Sequence, residues 1–144
     1  MRRIIFFCST IILFHISPAI AQYDTGSDDL NQTLVRIDAD AGVDLGAFKA
    51  DISGSYDITH AKIDYLSVKI GMSAGDIYMT VEIARIARVS IDRVVEVYQV
   101  NRGKGWGVIA KELGIKPGSA EFHALKGNAG KGHGKGHNGK GKKG

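Results

Sequence analysis

Cysteine is all but missing from this chain. The single one, Cys8, lies in an apolar run near the N-terminus, Ile4 to Ile16. That run is too short to span a bilayer, which needs about 20 apolar residues. It follows the basic Met1-Arg2-Arg3 and precedes Ala19-Ile20-Ala21, a small-x-small pattern. The three parts together predict a signal peptide over residues 1–21, cleaved after Ala21. No small-residue lipobox precedes Cys8, which argues against a lipoprotein. The mature chain, from Gln22, then has no cysteine. This excludes disulfides, a thiol nucleophile and cysteine-ligated metal, and no transmembrane segment is expected in it.

The end of the chain lacks acids and large apolar side chains. Residues 127–144 carry 5 Lys, no Asp or Glu, and 8 Gly. Such a segment buries too little surface to offset the entropy of ordering, so a disordered Gly/Lys/His tail is expected at 127–144. Between Gln22 and Lys126, 12 Lys and Arg face 15 Asp and Glu, a net of −3. The basicity of the whole chain is therefore a property of its end.

The phosphate-binding signature is missing too: there is no Gly-x4-Gly-Lys-Ser/Thr loop. A calcium loop starting at Asp38 would need Gly at 43 and Glu at 49, but Val43 and Lys49 stand there. No enzyme constellation and no cofactor are expected.

What is present reads as an all-α body over residues 29–126, preceded by a flexible stretch at 22–28. About five or six short helices are predicted, with helix-turn-helix-like corners. Leu30, Leu34, Ile37, Ala41, Leu45, Phe48 and Ile52 recur at steps of three and four, one helical stripe. A hairpin around Asp40-Ala41-Gly42 is the alternative, and Gly42 and Gly46 weaken the helix. Thr59, Ser73, Ser90 and Ser119 are candidate N-caps, with Asp76 completing a capping box on Ser73. The helix after Ser73 is apolar on two sides, so it belongs in the centre. A weak repeat aligns residues 66–73, 83–90 and 109–116. In each, a helix ends, the chain turns and an apolar residue plugs back. Gly71 and Gly114 suit the left-handed position and Met72 and Ile115 the plug, while Arg88 departs from the pattern.

The densest stretch is GKGWGVIAKELGIKPGSAEFHALK, Gly103 to Lys126. Its spacing is that of a helix-turn-helix, but its second helix offers Ser119, Ala120, Glu121 and His123. These suit a major groove poorly, so DNA is not an expected partner. Together with DRVVEVYQVNRGKG before it and, more loosely, DLGAFKADIS at 44–53, the stretch resembles a family of small secreted bacterial proteins of uncharacterised function. The resemblance implies export and a helical fold. It implies no activity.

Three sets of residues are candidates for a role. Arg102, Lys104, Lys111 and Lys116 gather around Gly105-Trp106-Gly107 and suggest anion binding at a helix start. Against that, Trp106 is expected to be a structural anchor, with Leu113 and Phe122, because aromatic residues dominate small cores. His123, His133 and His137 are candidate ligands for nickel, copper or zinc. The sequence therefore predicts a non-enzymatic secreted or periplasmic binding or structural protein of the bacterial cell envelope. Its cationic tail would attach to anionic envelope polymers, and its body to a protein partner or other ligand. The alternative is a metal-handling protein using the tail histidines.

Overall fold

The helical stripe that starts at Leu30 is buried at every position except Leu45. A computed structural model describes residues 23–129. The predicted signal peptide and residues 130–144 lie outside the described residues. Helix α1 (Asp28–Val43) buries Leu30, Leu34, Ile37 and Ala41, and α2 (Leu45–Tyr56) buries Phe48 and Ile52. A single helix through Ile52 is therefore not formed, nor is the hairpin, and there is no strand among the described residues. The break falls at Asp44, whose carboxylate accepts from the Ala47 N–H at 2.9 Å. A capping carboxylate between two helix-weakening glycines favours a new start over continuation. Leu45 leaves the stripe and is 53% exposed.

Thr59 caps α3 (His60–Asp64), which runs on into a π-helical turn, Tyr65–Ile70. Ser73 and Asp76 form the expected capping box at the start of α4 (Ala74–Ala87). Ser90 caps α5 (Ile91–Val100), and α6 (Trp106–Glu112) and α7 (Ala120–Ala129) follow. The Phe122 N–H donates to Ser119 Oγ at 3.1 Å, as a cap requires. The described residues thus form seven α-helices, the split at Asp44 adding one to the expected number.

Helix α4 is the centre. It is buried without a break from Ile77 to Ala84 and packs against α1, α2, α5, α7 and the π-helical turn. Each large aliphatic side chain so buried contributes about 1.5–3 kcal/mol. The three repeated corners share one backbone solution. Gly71, Arg88 and Gly114 are all left-handed, with φ of 77°, 56° and 92°. After them, Val89 N–H donates to Ala84 O at 3.0 Å and Ile115 N–H to Ala110 O at 2.9 Å. Arg88 thus occupies the same turn as its glycine counterparts, at a steric cost they avoid.

Two boundaries move. Tyr23 and Thr25, expected in a loose stretch, are only 5% and 3% exposed. At the other end α7 continues past Lys126. Ala129 is buried, and Asn128 Nδ2 donates to Glu82 Oε2 at 3.2 Å. Both ends are held by long-range contacts that no local pattern encodes. Among the described residues no helix is long and apolar enough to cross a membrane.

Candidate functional site

The Gly105-Trp106-Gly107 triplet starts α6 and meets the N-terminal strap, Tyr23 to Gly26. Gly105 is left-handed at φ 82°, and a Cβ there would lie 2.7 Å from the Asp24 carbonyl oxygen. The Gly107 N–H donates to that same oxygen at 2.6 Å. The glycines therefore admit the chain's own backbone at the position where an anion would sit.

Trp106 is 3% exposed, with its ring centroid 5.3 Å from that of Tyr98. Its indole Nε1 donates to Asp76 Oδ1 at 2.8 Å. The other oxygen, Oδ2, accepts from Tyr98 Oη at 3.3 Å and from the Ser73 N–H at 3.2 Å. Burial, and then the nearby Asp76 charge, push the Tyr98 phenol up to about 12. A second carboxylate works beside the first. Asp38 Oδ1 accepts from the Gly75 N–H at 2.8 Å, and Oδ2 from the Tyr23 hydroxyl. Ser73 links the two, its N–H on Asp76 Oδ2 and its hydroxyl 2.6 Å from Tyr23 Oη. Burial above all, and then the Asp38 contact, push the Tyr23 phenol well above its ordinary value. Each oxygen of Asp38 and Asp76 already holds a fixed donor. Chemically this arrangement ties the start of α4 to α1, α5, α6 and the strap.

One side of this network faces an open cleft of about 750 Å³, walled by Asp24, Asp28, Asp76, Tyr98, Lys104 and Trp106 among others. That volume falls in the range of small-ligand sites. The charged groups of the wall are three aspartates against one lysine. Of the four basic candidates it includes only Lys104, whose Nζ donates to Asn101 Oδ1 at 3.1 Å. Arg102 donates to the Ile70 carbonyl, closing the π-helical turn, and sits 5.5 Å from the Tyr98 ring centre. Lys111 and Lys116 are exposed and away from the cleft wall.

Leu113 and Phe122 are half-buried against the core, with Lys126 Nζ 6.0 Å from the Phe122 ring centre. His123 is exposed. Among the described residues no group of three or more His, Cys, Asp or Glu is placed to hold a metal ion. His133 and His137 lie outside the described residues.

The sequence reading missed Tyr23, Asp24, Asp28, Asn31 and Tyr98 as cleft-lining groups. The glycines flanking Trp106 were the available signal, since they mark a close backbone approach. Their partner lies about 80 residues away and carries no motif. No protein-family model, no curated protein and no solved structure matches the chain.

Proposed function

We propose that the protein is a non-enzymatic, secreted or periplasmic binding or structural protein of the bacterial cell envelope. Its body makes the specific contact, and its cationic end attaches to anionic polymers. One observation carries this reading, the separation of charge along the chain: a net of −3 between Gln22 and Lys126 against 5 Lys and no acid in residues 127–144. A lysine-rich, glycine-rich segment offers positive charge to a polyanion with few bulky side chains in the way. The signal-like first 21 residues support export. The cleft beside Trp106 supports a body that binds, because Asp76 in its wall is held in place by the Trp106 indole and the Ser73 N–H.

Retention on a dextran sulfate matrix tests the tail. The full chain without residues 1–21 is expected to bind at low salt and to elute as sodium chloride screens the charges. A variant with Lys131, Lys135, Lys140, Lys142 and Lys143 changed to Gln is expected to pass through. Equal retention of the two would refute the role of the tail. Export is tested separately, by recovering the protein from the periplasm of a Gram-negative host with Gln22 as its first residue.

A further inference from the structure

We propose that the acidic cleft beside Trp106 docks the chain's own basic C-terminal segment, residues 130–144. The wall carries Asp24, Asp28 and Asp76 against a single cation, Lys104. Asp24 and Asp28 are exposed, and among the described residues neither enters an ion pair. Asp29 follows directly and adds a further negative charge at the start of α1. The segment that leaves the body at Ala129 has 5 Lys, 7 Gly and no acid in its fifteen residues. Its lysines are separated by glycines and by His133, His137 and Asn138 alone.

Distance allows the contact. The segment begins beside Asn128, whose side chain bonds Glu82 on α4. Asp76 lies six residues earlier on the same helix, about 9 Å along its axis at 1.5 Å per residue. A glycine-rich chain of fifteen residues has a root-mean-square span of about 20–23 Å and a limit of about 50 Å when extended. Tethering places the lysines near the cleft at an effective concentration in the millimolar range. Each charge pair at the surface is weak alone, so the contact is multivalent in sum and sensitive to salt. It does not depend on polymer binding. An anionic polymer would compete for the same lysines, yet the contact exists without one.

The single tryptophan makes the test direct, because it contributes one indole N–H resonance. The full chain without its first 21 residues is compared at about 10 mM and about 500 mM sodium chloride, between which screening shortens from roughly 30 Å to a few ångströms. The expected result is a salt-dependent displacement of the Trp106 indole and Gly105 amide signals. Changing all five tail lysines to Gln is expected to abolish it, although those substitutions alter nothing in the cleft wall. The pair Asp24→Asn and Asp28→Asn is expected to do the same. An identical salt response in the unmodified chain and the lysine variant would overturn the proposal. So would a response that fades on tenfold dilution, since the segment would then belong to a second copy. Retention on dextran sulfate is read separately and needs no cleft contact, so failure here is distinguishable from failure of the polymer reading.

Discussion

Trp106 and Asp76, thirty residues apart in sequence, are joined by a 2.8 Å hydrogen bond from the indole Nε1 to Oδ1. Asp76 is also the third residue of α4 and closes its capping box, and Trp106 is the first residue of α6. One carboxylate therefore serves the cap of the central helix and the anchor of the C-terminal corner. A change at either residue is felt at both places.

Trp106→Ala is expected to cost about 3–5 kcal/mol, the usual range for emptying an aromatic core site. That is a large part of the roughly 5–15 kcal/mol available to a small domain. Trp106→Phe keeps most of the packing and removes the donor to Asp76. It is expected to cost about 1–3 kcal/mol, as for a hydrogen bond to a charged group. Urea unfolding followed by circular dichroism measures both. Equal stability of Trp106→Ala and the parent would end the reading of Trp106 as an anchor.

Arg88→Gly should stabilise the protein. Arg88 sits at φ 56°, where its counterparts in the other two corners are Gly71 and Gly114. Left-handed backbone costs a residue with a Cβ about 1–2 kcal/mol, partly offset by the entropy glycine loses on folding. A net gain of about 0.5–1 kcal/mol is expected in urea unfolding. A loss would mean that the Arg88 side chain contributes more than its backbone conformation costs.

Local chemistry made most of the fold legible. Thr59, Ser73, Ser90 and Ser119 each accept from a backbone N–H three residues on, as helix starts require. The double apolar face of α4 placed it at the centre before any contact was known. The cleft was not legible, for a physical reason. Its walls come from the strap, α1, α4, α5 and α6, and a capping aspartate looks the same in sequence whether or not an indole reaches it. Tyr23 is the clearest case. It adjoins the expected cleavage site, and its hydroxyl is held by Asp38 and Ser73, distant in the chain.

The end of α7 separates two truncations. A chain ending at Lys126 loses buried Ala129 and the Asn128 bond to Glu82, which is 3% exposed. It is expected to lose about 1–3 kcal/mol, the cost of weakening a buried polar network. A chain ending at Ala129 keeps both contacts, and at physiological salt its melting temperature is expected to match that of the full chain. Differential scanning calorimetry of the two truncations decides this. Equal melting temperatures would show that residues 127–129 add nothing to the body.

Alkali should unfold the protein in a way that reports on its tyrosines. Burial is the first cause that raises the phenols of Tyr23, Tyr56, Tyr78 and Tyr98, and Tyr98 reaches about 12. Carboxylates add to it: Asp38 beside Tyr23, Glu82 beside Tyr56 and Tyr78, and Asp76 beside Tyr98. In the unfolded chain a phenol ionises near pH 10. A folded-state value above the unfolded one means that the native state holds its protons longer. The stability tied to these groups is therefore fully present below pH 10 and is lost as pH rises from there through the folded values. Helical circular dichroism and tyrosinate absorbance are expected to change together between pH 10 and 12, with the protein unfolding as its phenols ionise. Tyr98→Phe removes one of these groups. Unfolding of that variant is expected to release one proton fewer, so its stability should fall less steeply with pH above 10, even though it has lost the hydrogen bond to Asp76. A slope unchanged by Tyr98→Phe would show that this phenol titrates alike in the folded and unfolded chain, and that the Asp76 network does not hold its proton.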